Sequence, residues 1–369
     1  MKLVTYLHVS RCLEPCGGVG RHANNLVRRL AGEKGVEQTL LCSTQYVGAD
    51  GLMPGNFPLS DLPRATIPMN ELPFERVIRL AGMPALDRFG PKADWYYSPM
   101  ETPLPVRRGV ASACTVHDIA AFETNLPWSD TPGHHRIRRT WGFWMPKVLR
   151  HVDRILTVSQ YSKERMVTLL GADPDRIHVV GNGVDRVFFD RGAALAGQAE
   201  KRDEIVVLGG LRYKKGADHV LEVAAELARR GSPLRIVVIG QNEQAYVDRA
   251  GAHPNVEIYY MLPDAEVVER MAHARAVMLL SLYEGFGIPP LEGMALGTPA
   301  VVSDIASLPE VVGDAGLVVD PASTGEIVDR LEVLRTDSAL YADLVAKGRE
   351  HVKAYSWEAC FARLLEVLR

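Results

Sequence analysis

Short apolar runs alternate with amphipathic stretches along nearly the whole chain. In the first half the runs are Leu3–Val9, Val36–Ser43, Ser112–Val116, Arg154–Ser159 and Ile177–Val180. In the second half they are Glu204–Gly210, Leu234–Gly240, Val256–Tyr260, Ala276–Leu280 and Ala315–Asp320. They are short and apolar rather than alternating, which is the pattern of strands buried on both faces of a parallel sheet. Between them, Arg21–Leu30, Tyr161–Leu170 and Ala217–Arg230 repeat apolar residues at helical spacing. Ser159 stands where a helix cap is needed. Strand and helix in alternation predict an α/β fold made of doubly wound units. The small, polar stretch Gly192–Arg202 reads as a linker. The expected organisation is a Rossmann-like unit over 1–188, a second over 189–353 and a closing helical segment over 354–369.

Composition narrows the class. A chain of 369 residues exceeds one ordinary core and suggests about two domains. A net charge of −3 gives no reason to expect nucleic acid as a partner. The five cysteines, at 12, 16, 42, 114 and 360, are odd in number and scattered, so reduced thiols and a cytoplasmic location are expected. Cys12 and Cys16 lack the spacing of a zinc pair, and no metal site is expected. The first residues do not make a signal peptide, and no apolar run approaches the ~20 residues that span a bilayer.

The densest chemistry lies in Ser281–Asp304, SLYEGFGIPPLEGMALGTPAVVSD. A buried strand breaks into Glu284-Gly285-Phe286-Gly287, where glycines admit unusual backbone angles and close ligand approach. Pro289-Pro290 then suits the first turn of a helix, and Gly297 ends it. A loop of this kind sits at the carboxyl end of a parallel strand, where α/β sheets bind ligands. The helix start offers N–H donors and a positive dipole end to a phosphate. Glu284 and Glu292 flank that anion seat and are suited to sugar and ribose hydroxyls. Phosphate at amides and hydroxyls at acids together describe a nucleotide sugar.

The string Glu284-x7-Glu292, EGFGIPPLE, resembles the signature of retaining glycosyltransferases of family 4, which have the two-domain GT-B fold, two Rossmann-like domains facing across a cleft. The resemblance covers nearly the whole chain, is strongest over 276–321, and includes Thr115-Val116-His117-Asp118, ILTVSQYS and VVGNGVD. It implies a transfer of sugar from a nucleotide donor to an acceptor hydroxyl, without a metal or other cofactor. It implies donor-binding positions at Gly285, Phe286, Gly287, Ile288 and Glu292, a catalytic Glu284, and backbone contact to the nucleobase near Met261 and Leu262. Gly18, in the glycine loop Gly17–Gly20, would approach the donor phosphate or the acceptor. His117, at the end of its strand, would contact the donor sugar, and Asp118 would orient it or bind the acceptor. Lys215 matches the family's usual lysine before a glycine. Gly210 stands where the family carries an arginine, a place that Arg212 would take over. The resemblance favours GDP-mannose, with UDP-sugars close behind, and a polysaccharide or lipid-linked acceptor.

Three alternatives follow from the same residues. A nucleotide-sugar epimerase would want further acids and histidines at the anomeric centre. A dinucleotide enzyme would want an acidic residue after a second strand, which GGVGRH lacks. A silent nucleotide-sugar-binding protein would not need Glu284, Glu292, His117 and Lys215 together. Residues 134–151, HHRIRRTWGFWMPKVLRH, are basic and aromatic. They form either a helix packed on the sheet, interrupted by Pro146, or a helix lying on the inner face of the cytoplasmic membrane.

Overall fold

The computed structural model describes residues 1–196 and 200–369. Its first part runs β1 (Lys2–Tyr6), α1 (Val9–Cys12), α2 (Gly18–Gly32), β2 (Glu37–Ser43), β3 (Arg64–Ile67), α3 (Glu71–Ala81), β4 (Trp95–Ser98), β5 (Ala111–Val116), α4 (Pro132–His151), β6 (Arg154–Thr157), α5 (Gln160–Leu170) and β7 (Ile177–Val179). Its second runs α6 (Arg186–Ala194), β8 (Glu204–Leu208), α7 (Ala217–Arg229), β9 (Arg235–Ile239), α8 (Gln244–Ala250), β10 (Val256–Tyr259), α9 (Asp264–His273), β11 (Ala276–Leu279), α10 (Ile288–Leu296), β12 (Ala300–Ser303), α11 (Leu308–Val312), β13 (Leu317–Val319), α12 (Thr324–Thr336), α13 (Ser338–His351) and α14 (Trp357–Leu368).

The strands form two parallel sheets, ordered β3-β2-β1-β4-β5-β6-β7 and β10-β9-β8-β11-β12-β13. In the first, Val4 lies between Thr39 and Tyr96. In the second, Val206 lies between Val237 and Val277. Strands β11 and β12 are buried along their whole length, which explains their unbroken apolar sequence. The fold is therefore α/β, with two Rossmann-like domains. In each sheet the strand order reverses direction once, between β1 and β4 and between β8 and β11. Such reversals open a crevice at the carboxyl ends of the strands.

The chain divides into one unit of Met1–Asn182 with Trp357–Arg369 and another of Gly183–Ser356. The first division falls earlier than the expected 188/189 because α6 belongs to the second unit. A Cβ on Gly192 would lie 1.9 Å from the carbonyl oxygen of Ala295, so α6 rests against α10 at glycine distance. Gly192 to Ala194 of the expected linker are thus helical; residues 197–199 of it lie outside the described residues. The second division falls at Ser356/Trp357 rather than at 353/354. From there α14 buries Trp357, Cys360, Leu364 and Leu368 among Leu3, Leu26, Leu30 and Tyr97 of the first unit.

The expected glycine loop at 17–20 is also different. Gly18 begins α2, and Gly20 lies within its first turns. A Cβ at Gly20 would lie 2.2 Å from the carbonyl oxygen of Arg11. This glycine is set by close packing of α2 on the segment before it. Among the described residues, no helix is long and apolar enough to cross a membrane.

Candidate functional site

The second unit's switch point is built from the loops after β8 and β11. After β8 the chain turns through Gly209 and Gly210, at φ 101° and 78°. A Cβ on Gly210 would lie 1.9 Å from the carbonyl oxygen of Gln241, in the loop after β9. Backbone meets backbone there, so no side chain, arginine included, fits at this position. Arg212 turns back instead, its Nε donating to Gly209 O at 3.2 Å. Gly216 brings the same loop onto β11's exit, where a Cβ would lie 1.9 Å from Leu280 O. That close approach delivers Lys215 to Glu284: Nζ donates to Oε1 at 2.5 Å. Ser281 Oγ donates to the same oxygen at 2.7 Å.

The glycine loop itself is pinned from behind. Ser307 Oγ reaches Glu284 O at 2.9 Å and Phe286 O at 3.0 Å. Phe286 is buried, its ring 5.8 Å from that of Tyr355. Gly287, at φ 99°, caps α10, and Pro289 and Pro290 occupy its first turn, as the sequence predicts. The amides of Gly285, Phe286, Gly287 and Ile288 donate to no group among the described residues. With carbonyls tied back and amides unengaged beside Lys215, the loop is an anion seat. Glu292 lies inside α10 and is only 3% exposed. Met261 and Leu262 follow β10, two strands from the switch point, with Met261 80% exposed.

The first unit's switch point is a buried polar chain. His117, at the end of β5, meets Glu101, in the segment after β4, twice: its amide and its Nδ1 both lie 2.8 Å from Oε1. A guanidinium nitrogen of Arg11 is 3.5 Å from the other carboxylate oxygen. Burial alone would raise the Glu101 carboxyl, but His117 and Arg11 together hold it down at about 2. In the neutral imidazole, a carboxylate facing Nδ1 favours the tautomer with the proton there and the lone pair on Nε2. That Nε2 is buried and has no hydrogen-bond partner among the described residues. Behind it stands His22, edge-on at 4.7 Å between ring centres, with Nδ1 2.7 Å from Asn182 Oδ1. Burial, then the neighbouring His117, push His22 down to about 3. Asp118 accepts from the Ala120 amide at 2.9 Å, closing a turn at the strand end. Gly18 opens α2.

The structure thus unites Lys215, Glu284 and the Gly285–Ile288 amides, and separately gathers His117 with Glu101. Sequence reasoning missed Glu101, His22 and Asn182. Glu101 lies in an irregular Ser-Pro-Met-Glu-Thr-Pro segment, and nothing local marks it as the partner of a histidine on another strand. Among the described residues, no group of three His, Cys, Asp or Glu side chains is placed to hold a metal ion.

Solved structures with this architecture are GT-B glycosyltransferases. Sucrose-phosphate synthase from Thermosynechococcus elongatus superposes with a TM-score of 0.72 at 16% identity, covering 99% of this chain and 97% of that one. Anabaena HepE, solved with UDP and glucose, gives 0.68 at 15% identity, over 100% and 99%. The family described as Glycosyltransferase Family 4 matches residues 16–188, and Glycosyl transferases group 1 matches 194–351. The chain belongs to glycosyltransferase family 4. It is 32% identical to D-inositol 3-phosphate glycosyltransferase of Rhodococcus erythropolis, over 71% of this chain and 63% of that protein. It is 31% identical to MMP alpha-(1->4)-mannosyltransferase of Mycolicibacterium hassiacum, over 63% and 58%. The O-antigen chain mannosyltransferase B of Escherichia coli is 27% identical over 69% of each. The chain spans about three fifths of the length of the first two of these relatives.

Proposed function

We propose that this chain is a retaining glycosyltransferase, moving a sugar from a nucleotide donor to an acceptor hydroxyl. The observation that carries the reading is the row of unengaged amides from Gly285 to Ile288 beside the Lys215–Glu284 pair. A donor diphosphate on those amides would meet Lys215 and Arg212 as the sugar–oxygen bond breaks and charge grows on the leaving phosphate. Fixed donors aimed at developing charge are often the largest catalytic contribution. Lys215 has three donor hydrogens and can serve Glu284 and a phosphate together. Glu284 would accept from hydroxyls of the transferred sugar, and Glu292 would hold the ribose. The turn at Met261 and Leu262 would meet the base. In the first unit, His117 Nε2 offers a lone pair to a sugar hydroxyl, and Asp118 is the acceptor-side group. The acceptor proton would leave with the departing phosphate, on the face the donor oxygen vacates. A lysine and a helix end take the place of a metal in this scheme.

Two relatives are named mannosyltransferases, which supports GDP-mannose as the donor and a polysaccharide or lipid-linked glycan as the acceptor. A UDP-sugar is the second reading, supported by the UDP and glucose bound to HepE. The test is nucleotide release from GDP-mannose and UDP-glucose, with EDTA present, by wild type and Glu284→Gln. Release from one donor that EDTA spares and Glu284→Gln abolishes supports the reading. Release that EDTA stops contradicts metal independence. Stabilisation by nucleotide without release from any donor would favour a binding protein.

A further inference from the structure

The first unit carries a surface that sugar transfer does not use. Helices α3 and α4 cover the same face of its sheet, through Phe74 and Ile78 on one and Trp144, Met145, Val148 and Leu149 on the other. The Arg79 guanidinium, 4.6 Å over the Trp144 ring, joins them. Their outward sides are unusually apolar. Leu72 and Leu80 are 66% exposed and Phe143 48%, with Val77 and Ile137 also exposed on these helices, and Met83, just past the end of α3, is 60% exposed. Single exposed apolar residues are ordinary, but a concentration on two adjoining helices marks a surface that meets something apolar.

The charge around these residues has one sign. Helix α4 has no acidic residue in its 20 positions. The two acids of α3, Glu71 and Glu75, are turned inward and buried, and Glu75 is paired with Arg79. Arg76, Arg136, Arg139 and Lys147 are exposed and have no carboxylate partner among the described residues. Lys147 lies 3.9 Å over the Phe143 ring, so a cation and an exposed aromatic share one place. Between the two helices and the segment before β5 is a cavity of about 630 Å³. Leu104 and Trp144 line it, and Arg107, Arg108 and Lys147 stand at it. The acids nearest it are engaged: Asp87 by Arg107, Asp153 by the Ser112 amide and hydroxyl. Because Ser112 and Val152 also line it, the cavity lies at the amino edge of the sheet, away from His117.

We infer that α3 and α4 form a docking face for an anionic lipid bilayer, with the cavity receiving a headgroup phosphate. Exposed leucine, methionine and phenylalanine on helices that also carry unpaired arginine and lysine is the chemistry that inserts shallowly among acidic headgroups. A neutral apolar partner would leave those cations desolvated and unpaired, at a cost that phosphates remove. Helix α4 follows the loop after β5's carboxyl end and returns to the amino end of β6, so its Arg136–Arg139 turn begins near the strand end that bears His117 and Asp118. A bilayer held along α4 would therefore keep a lipid-linked acceptor at that edge. The docking face itself stands independently of the sugar-transfer reading.

The test is co-sedimentation of the full chain with vesicles of phosphatidylglycerol and phosphatidylcholine, against phosphatidylcholine alone, at low and high salt. Binding to the anionic vesicles, weak on the neutral ones and reduced by salt, is expected. Arg136→Gln with Arg139→Gln should lower the partition coefficient roughly thirtyfold, the loss of two basic groups at a membrane surface. Leu80→Asp with Phe143→Asp should abolish the binding that survives at high salt. All four side chains are exposed, so far-UV circular dichroism and nucleotide binding should stay unchanged. Equal partition onto neutral vesicles, no partition at low salt, or indifference to the arginine changes would overturn the inference. So would a dimer in sedimentation velocity that Leu80→Asp dissolves, because a second copy would then cover the face.

Discussion

The two switch points solve the same problem of placing a carboxylate with different partners: Glu284, its side chain 14% exposed, meets a partly exposed lysine, whereas Glu101, its side chain 6% exposed, meets a buried histidine. In the second unit, Glu284 pairs with Lys215 at the rim of a loop whose amides remain unengaged. In the first, Glu101 is buried with His117, and the carboxylate spends both backbone and ring hydrogen bonds on holding that one imidazole. A rim pair can change partners when a ligand arrives. A buried one cannot, because an unpaired charge there costs several kcal/mol. The comparison assigns adaptable chemistry to Glu284 and Lys215, and fixed orientation to Glu101.

The sharpest way to break that contrast is at Glu284. Glu284→Gln is expected to lower donor turnover by about 10²–10³-fold. Lys215→Ala should do comparable damage, and the double variant should lose far less than the product of the two, since they act as one unit. Steady-state nucleotide release measures all three. Additive losses would mean that the pair is not one device.

Next in size is the backbone contact that excludes an arginine. Gly210→Ala would combine a left-handed φ with a Cβ 1.9 Å from a carbonyl oxygen, so a loss of about 2–4 kcal/mol is expected in urea denaturation. Gly209→Ala shares the positive φ, but its Cβ would meet only the Lys215 stem at 3.6 Å, and it should lose about 1 kcal/mol. Equal losses at both would show that the contact with Gln241 is not what demands glycine.

Acid should distinguish the units. His22, held at about 3 against an ordinary 6.5, stays unprotonated when folded, whereas the unfolded chain takes up a proton below 6.5. Stability therefore falls as pH drops through that window, by about 2 kcal/mol between pH 7 and pH 5. Glu101, lowered from 4.5 to about 2, adds to the loss in the same direction at lower pH. All five tryptophans, Trp95, Trp128, Trp141, Trp144 and Trp357, belong to the first unit, so their fluorescence reports it alone. Urea midpoints by fluorescence should fall between pH 7 and pH 5, and the fall should shrink in His22→Asn. The smallest effect is at Ser307. Ser307→Ala removes the donor that ties back Glu284 O and Phe286 O, at about 1 kcal/mol, and should weaken nucleotide binding severalfold by titration calorimetry.

What was legible in the sequence was whatever local chemistry decides. The unbroken apolar runs gave β11 and β12, Ser159 announced the cap whose hydroxyl accepts from the Ser162 amide, and Pro289-Pro290 marked the start of α10. Glu284 and Lys215 could be named, but not their pairing across 69 residues, because it depends on the close approach of Gly216 to Leu280. Glu101 was hidden for the same reason. Gly192 and Gly20 read as linker and loop, although both are glycine because another backbone touches them, a cause that no neighbouring residue reveals.

The central claim is that the Gly285–Ile288 amides and Lys215 hold a donor diphosphate while Glu284 reads its sugar. Calorimetric titration of GDP and of UDP in EDTA, into wild type, Lys215→Ala and Glu284→Gln, tests it most directly. One nucleotide should bind wild type, Lys215→Ala should weaken it at least roughly tenfold, the loss of a charge-assisted bond, and Glu284→Gln should leave it nearly unaltered. Binding of neither nucleotide, or binding that Lys215→Ala leaves intact, would contradict the claim.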